Sequence, residues 1–337
     1  MTSGTNAVAG TPATRRVIQA LLLVIAIGAP LGFARAHFID FDAPGNQLDA
    51  FTDANTYLAA GERLNAGHEL YRLQEGDRPV LIIPDLFTQP LVSPPPIAVI
   101  WRPIAAIPFG IQLWIVACWA ALLGTVAYLV LRVGPPAAFL ALALSWPIGE
   151  ELAVANVVSF FPAVLVLSWR YRRHAWIGVP LGVIAGVKLA PIAMAGWLIA
   201  ERNLRALATM AAAIGGLVVV SVLGAGLNSF FEYLQIAPTL KPSPLSISGQ
   251  TGVSWASYAV LAGGIAIAAA LHRYPRVAYC VSVVTVAFGS PVVYIGGLVV
   301  LLALAAPLLP EPALARAAPK PEDWPVRAPE RGSASGA

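Results

Sequence analysis

The chain has 337 residues, of which 58% are hydrophobic and 11% are charged. Soluble globular proteins carry about 25% charged residues, so this composition excludes an ordinary cytosolic enzyme, a disordered protein and a nucleic-acid-binding domain. The formal net charge is +4, but the arginines sit at the ends of apolar runs, where they orient a protein in a membrane. Apolar runs of about 20 residues, long enough to cross a bilayer, recur along the chain. The sequence therefore predicts an all-α polytopic membrane protein.

The first apolar run is expected to be an uncleaved membrane helix. Residues 1–14 are polar and are predicted to form a disordered cytoplasmic segment. Arg15 and Arg16 precede the apolar run 17–33. The small residues after this run resemble a signal-peptide cleavage site, but the many apolar runs that follow favour an uncleaved helix. Because Lys and Arg mark the cytoplasmic side, the N-terminus is predicted to lie inside.

The polar loop at residues 37–93 is predicted to lie outside, after the first span. It holds nine acidic residues and three arginines. Apolar residues recur at helical spacing over 53–71, and Gly67 is expected to end the regular helix. An amphipathic helix beside a membrane helix is expected to lie at the interface. The prolines at 94–96 predict the start of the next helix, because the first turn needs no N–H donors.

The rest of the chain is a series of apolar segments that brings the expected total to about eight to eleven membrane segments. Basic clusters between the segments are predicted to be cytoplasmic. A second polar loop, residues 228–254, falls on the outside like the first. Residues 15–310 thus form one membrane domain, and the tail 311–337 is predicted to be disordered and cytoplasmic. The apolar segments are residues 97–108, 110–131, 136–147, 152–167, 176–199, 206–227, 255–271, 277–288 and 292–309.

Two of these regions are predicted to be broken within the membrane. The run 176–199 has a basic cluster on each side, so it is expected to consist of two half-length segments that meet near residues 188–191. The same argument predicts an outer bend at residues 146–151. Irregular backbone at membrane depth is tolerated only where it is buried in protein or lines a cavity. Broken helices below two outer loops therefore indicate a site at the outer membrane boundary.

Asp53 and Lys188 are the first candidates for chemistry. Asp53 lies just beyond the first span, where a carboxylate at a low-dielectric boundary can act as a general base; the alternative is a solvated charge. Lys188 lies inside an apolar run, and an ionisable residue there is a functional hypothesis by default. Its expected partner is an anion such as a phosphate, and snorkelling to the interface is the alternative.

Asn156 and Lys241 are further candidates. Asn156 is predicted to be a buried polar group that needs a partner, whereas Lys241, in the second outer loop, could meet a ligand or water. The sequence has no Walker motif and no dinucleotide fingerprint, which argues against an ATP-driven pump. Its four histidines and two cysteines show no metal-ligand spacing.

Four motifs occur in order along residues 17–309. In this order they resemble the membrane-embedded GT-C glycosyltransferases, and among them glycosyltransferase family 87, which includes actinobacterial polyprenol-phosphate-mannose-dependent mannosyltransferases. Serine stands here for the family's tyrosine before the prolines, and its Gly-Gln-x-Asn element is present only as Ala155 and Asn156. The motifs are Asp53, Tyr57, Ala59, Ala60, Gly67, Leu70 and Tyr71; then Ser93, Pro94, Pro95, Pro96, Pro103 and Pro108; then Gly182, Lys188 and Pro191; and last Ser290, Pro291 and Tyr294.

The resemblance implies a GT-C-like helical bundle that transfers a sugar, with mannose expected, from a polyprenyl-phosphate donor to a lipid or glycan acceptor. The reaction is expected at the outer face of the cytoplasmic membrane, with inversion. No metal or other cofactor is expected, because fixed cations can stabilise the leaving phosphate. The partners are the two substrates and the bilayer, without nucleic acid. Asp53 is implied as the catalytic base, Lys188 as the first group to meet the donor phosphate, and the further substrate-binding candidates are Tyr57, Tyr71, Arg102, Asn156 and Lys241.

Two alternatives remain open from the residues. Broken helices around a buried lysine also suit a transporter or flippase for an anionic lipid or small molecule. An inverted repeat would favour transport, and none is visible in the sequence; the acidic outer loop with its interfacial helix favours the transferase. A non-catalytic membrane subunit is the third reading, and loss of activity on mutating Asp53 would argue against it.

Overall fold

The structure is a computed structural model that describes residues 12–37, 51–77 and 90–310. Within these ranges the chain is helical, and no residue belongs to a β-strand. The described part of the chain has 3₁₀ helices between or beside the α-helices, at Val157–Phe160, Ala175–Ile177, Ala190–Ala193, Ala237–Thr239 and Gly296–Leu308. The α-helices are α1 (Pro12–His37), α2 (Thr52–Asn65), α3 (Pro95–Ala105), α4 (Gly110–Val133), α5 (Pro135–Ala143), α6 (Ser145–Val154), α7 (Phe161–Arg170), α8 (Gly178–Val187), α9 (Met194–Ala200), α10 (Leu204–Ile236), α11 (Ile247–Thr251), α12 (Ala256–Ala270) and α13 (Pro275–Phe288).

Three helical segments of the described chain are long and apolar enough to cross a membrane: Arg16–Ala36, Gly110–Val133 and Leu204–Thr239. The pair α5 and α6 passes the same test together, with a bend of 63° between them. Several shorter apolar helices surround these segments. The arrangement is consistent with a polytopic membrane protein, as the composition predicts.

The helices approach closely where glycine replaces a side chain. Helix α8 packs along α10, and a Cβ atom at Gly182 would lie 2.4 Å from the carbonyl oxygen of Met210. Helix α2 packs along α3, and a Cβ atom at Gly61 would lie 2.8 Å from the carbonyl oxygen of Trp101. Small residues at helix contacts let the backbones meet, which is the usual basis of packing where lipid removes the hydrophobic drive.

The predicted break near residues 188–191 is confirmed. Helix α8 ends at Val187, and Lys188 is extended with φ −136° and ψ 131°. The next turn is the 3₁₀ helix Ala190–Ala193, which has Pro191 in its first turn. Proline cannot donate the N–H group that would continue α8, so the chain turns at the lysine.

The predicted bend at residues 146–151 is wrong. Those residues form a continuous stretch of α6, and the breaks fall on either side of it, at Leu144 and at Ala155. Pro147 is the third residue of α6, where the backbone N–H has no partner within the helix, so the proline starts the helix rather than bending it. Ala155 ends α6 in the left-handed conformation, with φ 51° and ψ 50°.

Helix α2 is shorter and more buried than its amphipathic pattern predicts. It ends at Asn65, and Gly67 follows with φ +77°, so the expected stop at this glycine is confirmed. Leu70 and Tyr71 lie beyond the helix, both buried. Most of α2 is buried against its neighbours rather than lying on a surface.

Two other helix boundaries lie beside the polar stretches of the sequence. Helix α3 begins with prolines in its first turn, as the proline run predicts. Helix α10 runs to Ile236, with a non-helical residue, Gly226, at φ 78° and ψ 153°, and thus enters the polar stretch predicted at 228–254. The predicted terminal segments 1–14 and 311–337 lie largely or wholly outside the described residues, as do positions 38–50 and 78–89 of the first polar loop.

Candidate active site

Asp53 occupies the first turn of α2, and the start of that helix is tied to the end of α6. Phe51 precedes the helix in the left-handed conformation, with φ 59° and ψ 38°. Its N–H group donates a hydrogen bond of 2.7 Å to the carbonyl oxygen of Ala153. This backbone contact brings the acidic first turn of α2 against the break after α6.

Asn156 lies at that break and contacts Asp53 directly. Its Nδ2 group donates a hydrogen bond to Oδ2 of Asp53. Its Oδ1 accepts the N–H group of Val158 at 3.0 Å. Because the oxygen is used by a backbone donor, the NH₂ group must face the carboxylate. Asn156 is 7% exposed, which confirms the prediction of a buried polar residue with a partner.

Helix α4 supports the loop that carries Asn156. Trp114 Nε1 donates to the carbonyl oxygen of Ala155 at 2.8 Å, and Trp119 Nε1 donates to that of Leu152 at 2.8 Å. Cys118 Sγ lies 3.7 Å from the Ala155 oxygen. These donors satisfy carbonyls that the end of α6 leaves without helical partners, so the left-handed residue before Asn156 is held in place.

Lys188 brings a cation to the same place from the break after α8. It is half-buried and interacts electrostatically with Asp53 and with Glu151. Asp53 and Lys188, which the sequence analysis selects separately, are thus close enough to interact electrostatically. A lysine ammonium is a point charge with three donors, which suits a carboxylate or a phosphate oxygen.

The surroundings of Asp53 act on its basicity in opposite directions. Burial raises the pKa of Asp53, whereas the charge of Lys188 and the hydrogen bond from Asn156 lower it. Burial is the larger effect, so the pKa stands above the ordinary value. A carboxylate with a raised pKa is a stronger base once it is ionised, and this is a common way to tune a general base.

Glu151, which the sequence analysis did not select, belongs to the same cluster. Its side chain is buried in α6, and Ser159 Oγ donates to its Oε1 at 3.0 Å. Its neighbour Glu150 interacts with the backbone N–H of Gly296 and with Asp53. The sequence signal for this residue is a pair of adjacent acidic residues inside an apolar region. A charge there is costly unless it has a partner of opposite charge. Within the described ranges no group of three His, Cys, Asp or Glu residues is arranged to hold a metal ion.

Tyr57 lies one turn after Asp53 on α2. It is buried between Trp101 and Trp114, with ring centroids 6.2 Å and 6.4 Å away, and its hydroxyl is hydrogen-bonded to Ser93. Trp114 also donates a hydrogen bond to the carbonyl oxygen of Ala155. The aromatic cluster therefore connects α2 to the loop that carries Asn156. Tyr57 interacts electrostatically with Asp53, which makes it a neighbour of the carboxylate.

Two other predicted site residues contact different parts of the protein. The hydroxyl of Tyr71 donates to the carbonyl oxygen of Ser93 at 2.9 Å. Arg102 donates from Nη1 to the carbonyl oxygen of Gly224 at 2.8 Å and from Nε to Oδ1 of Asn65 at 3.0 Å. Arg102 therefore joins α2, α3 and the kinked part of α10.

Lys241 is exposed on the second polar loop. Two residues later, the N–H of Ser243 donates to the carbonyl oxygen of Pro291 at 3.0 Å. The segment that starts at Pro291 leads to Tyr294, which interacts electrostatically with Asp53. The last motif of the sequence, Ser290, Pro291 and Tyr294, thus connects this loop to the neighbourhood of the carboxylate.

Comparison with known proteins identifies the class as the glycosyltransferases. The sequence profile described as glycosyltransferase family 87 matches residues 92–318, a range that holds Asn156, Lys188 and Glu151 and begins after Asp53. The chain belongs to glycosyltransferase family 87, as the ordered motifs predict.

A curated relative gives a more particular likeness. The chain is 30% identical over 233 residues to a polyprenol-phosphate-mannose-dependent alpha-(1-2)-phosphatidylinositol pentamannoside mannosyltransferase of Mycobacterium tuberculosis (strain CDC 1551 / Oshkosh). The matched region covers 65% of this chain and 50% of the relative, so the chain spans about half the length of that protein. No solved structure matches the chain.

Proposed function

We propose that this protein transfers a sugar, with mannose as the expected sugar, from a polyprenyl-phosphate donor to a lipid or glycan acceptor. The observation that carries the proposal is the hydrogen bond from Asn156, at the break after α6, to Asp53. Lys188, at the break after α8, lies near enough to interact electrostatically with Asp53. The family and the mannosyltransferase relative support the donor class. A lipid-linked donor also suits an apolar bundle, because it can reach the site from within the membrane.

Asp53 acts as the general base in the proposed reaction. It accepts the proton of an acceptor hydroxyl, and the resulting oxygen nucleophile attacks the anomeric carbon of the donor sugar. The bond from that carbon to the phosphate oxygen breaks, and polyprenyl phosphate leaves with the electron pair. Attack opposite the leaving group inverts the anomeric configuration. The raised pKa of Asp53 favours proton transfer in this step.

Asn156 and Lys188 assist this reaction in different ways. The Asn156 amide fixes one oxygen of Asp53 and leaves the other to accept the proton. Lys188 supplies positive charge for the donor phosphate, whose charge grows as the sugar departs. Without donor, Lys188 interacts electrostatically with Asp53 and with Glu151. Binding of the anionic donor therefore redistributes a charge that is already in place.

The reaction is proposed to occur at the outer face of the cytoplasmic membrane, in a multi-pass protein. The basic clusters at residues 170–174 and 201–205 support a cytoplasmic position for that end of the bundle. The first polar loop carries an excess of acidic residues, which supports an outer position for α2 and Asp53. Nucleotide sugars are absent outside, which favours a lipid-phosphate donor.

Transfer by the purified full-length protein is the direct test. The protein in detergent or nanodiscs is incubated with radiolabelled polyprenyl-phosphate mannose and membrane lipids, with polyprenyl-phosphate glucose as the comparison donor. The expected result is label in a lipid or glycan product, with the Asp53→Asn variant at background. Movement of intact donor across proteoliposomes without any labelled product would overturn the transferase and support the transporter.

A further inference from the structure

Two short stretches of the chain, residues 170–176 between α7 and α8 and residues 201–205 between α9 and α10, concentrate positive charge. Together they hold five arginines and one acidic residue. Both stretches follow the end of one apolar helix and precede the start of another. The charged residues are Arg170, Arg172, Arg173, Glu201, Arg202 and Arg205.

Asn203 ties the two stretches into one surface. Its Nδ2 group donates to the carbonyl oxygen of Arg172 at 2.8 Å and to that of His174 at 3.4 Å. Its Oδ1 accepts the N–H group of Ala206 at 3.0 Å, at the start of α10. The two stretches are therefore held side by side, and we call residues 170–176 and 201–205 the basic surface.

The one carboxylate of the basic surface is already engaged by a neighbour. Arg172 Nε lies 3.8 Å from Oε1 of Glu201, and Glu201 also interacts electrostatically with Arg173. Arg202 and Arg205 are exposed, and within the ranges that the structure describes neither forms an ion pair with a carboxylate. The basic surface thus has positive charge to spare for an external anion.

Arg202 occupies a position where glycine is the usual residue. Its N–H group donates to the carbonyl oxygen of Ile199, and that of Asn203 donates to Leu198, both at 3.0 Å. These two bonds end α9 in a Schellman motif. Arg202 has φ 55°, a left-handed conformation that glycine adopts without steric cost and arginine does not. The turn itself does not call for an arginine, so the reason for this residue lies in its exposed charge.

Aromatic and apolar side chains are exposed beside these charges. The rings of Tyr171 and Trp176 are 5.4 Å apart, and both residues are exposed. Val179 in α8 and Leu204 at the start of α10 are exposed as well, and the apolar segment of α10 begins at Leu204. Tyrosine and tryptophan are typical of the level of the lipid headgroups. The basic surface therefore lies where the chain passes from apolar helices to water.

We propose that the basic surface binds the anionic headgroups of phospholipids in the adjoining membrane leaflet. Arginines at this level attract a negatively charged lipid surface, and their guanidinium groups can bind a phosphate through two hydrogen bonds at once. The exposed apolar residues beside them suit the acyl chains of a lipid and not a free anion. The surface lies at the opposite end of α8 from Lys188, so this inference goes beyond the proposed sugar transfer.

Lipid binding by the purified full-length protein tests the inference. The protein in detergent is titrated with dioleoylphosphatidylglycerol, with zwitterionic dioleoylphosphatidylcholine as the comparison, and the bound lipid is counted by native mass spectrometry. We expect preferential binding of the anionic lipid, and a dissociation constant about tenfold higher in Arg173→Gln, Arg205→Gln. Arg273→Gln, Arg276→Gln is the matched control, because it removes two exposed arginines from the connection between α12 and α13.

Arg202→Gly separates lipid binding from stability. Glycine suits the left-handed position, so without lipid the unfolding midpoint should stay close to that of the wild type. A ligand that binds the folded state raises this midpoint, and the rise produced by phosphatidylglycerol should be smaller in Arg202→Gly than in the wild type.

Three results would overturn the proposal. The first is equal affinity for the anionic and the zwitterionic lipid in the wild type. The second is an equal loss of affinity in the Arg173→Gln, Arg205→Gln protein and in the Arg273→Gln, Arg276→Gln control, since that would show a response to overall charge. The third is a rise in the unfolding midpoint with inorganic phosphate equal to that with phosphatidylglycerol, since that would show a site for a free anion.

Discussion

The amide of Asn156 donates a hydrogen bond to the carboxylate of Asp53 although 103 positions separate the two residues in the sequence. The contact joins the first turn of α2 to the loop that ends α6. The contact also joins a residue outside the family match to one inside it, because that match begins after Asp53 and includes Asn156. Asp53 and Asn156 are therefore a single hydrogen-bonded unit in the folded protein.

Asp53→Asn should reduce sugar transfer by at least about a hundredfold, because general-base assistance is worth about 10²–10⁴ in rate. The asparagine keeps the size of the side chain, so the Kd for the lipid donor should change little. Turnover and donor binding are measured on the same preparation. Asp49, a rival acid outside the described residues, provides the comparison: near wild-type transfer by Asp53→Asn with an inactive Asp49→Asn would move the base to Asp49.

Lys188→Met should weaken donor binding by about tenfold to a hundredfold, since a hydrogen bond to a charged group contributes about 1.5–3 kcal/mol. Methionine preserves the length of the side chain and removes the charge. Binding of a polyprenyl-phosphate sugar is measured by scintillation proximity or thermophoresis. Lys320→Met removes the lysine at position 320, which is no substrate-binding candidate, and is the matched comparison. Equal donor affinity in Lys188→Met and the wild type would contradict the assignment.

Asn156→Asp should move the acid limb of the pH–rate profile to higher pH by about one unit. The aspartate still accepts the N–H of Val158, but it removes the donor to Asp53 and adds a like charge. Both changes raise the pKa of Asp53, so the base becomes protonated, and inactive, at a higher pH than in the wild type. Asn228→Asp, at an exposed position of α10, is the control, because it adds the same charge away from Asp53. A profile that does not move would argue against Asp53 as the titrating group.

Gly61→Ala should destabilise the protein by about 1–3 kcal/mol, the usual cost of overpacking. The new Cβ atom would meet the Trp101 carbonyl at 2.8 Å, so α2 must move away from α3, and Asp53 moves with it. Thermal unfolding in detergent and the transfer rate should both fall. Gly124→Ala in α4 meets nothing within 4 Å and should keep the wild-type midpoint or raise it, because alanine favours a helix.

Asp77, which follows α2, should contribute to the stability of the protein. This contribution should be lost at acid pH. Burial raises the pKa of Asp77, but hydrogen bonds from His68, from the Gln74 N–H and from Arg63 outweigh it and hold the pKa at about 2. The ordinary value is about 3.9. The contribution is therefore complete above about pH 4 and is lost as the pH falls towards 2.

The Asp77→Asn variant tests this contribution. Its unfolding midpoint should lie below that of the wild type above pH 4, and the two should converge near pH 2. Glu75→Gln, at an exposed position, should follow the wild type throughout. A constant difference between Asp77→Asn and the wild type from pH 6 to pH 2 would show that the carboxylate charge is not the cause.

The site residues that the sequence predicts best are those whose charge is energetically costly in its surroundings. Lys188 is conspicuous because a charge inside an apolar run is expensive, and its helix break follows from the basic clusters on both sides together with Pro191. Asp53 is selected by its position after the first span and by its spacing to Tyr57 and Gly67. These signals are local, so they can be read without knowing which segments pack together.

The rest depends on tertiary contacts that have no local pattern. Glu151 could not be distinguished from Glu150, since only the folded chain puts one beside Lys188 and the other beside the Gly296 N–H. The topology argument predicts a bend within residues 146–151, whereas Pro147 stands in the first turn of α6 and begins that helix. Arg102 is a substrate-binding candidate from the resemblance, and only the folded chain reveals its hydrogen bond to the Gly224 carbonyl, next to the kink at Gly226.

The backbone bond from Phe51 to Ala153 has a consequence for how the protein is made. A chain leaves the ribosome from its N-terminus, so α2 is synthesised with a carboxylate whose partners do not yet exist. Asn156 arrives only after α3 to α6, and Lys188 arrives later still. The partners of Asp53 are therefore complete only after α8 has been synthesised, so the assembly of this site is a late event in the synthesis of the chain.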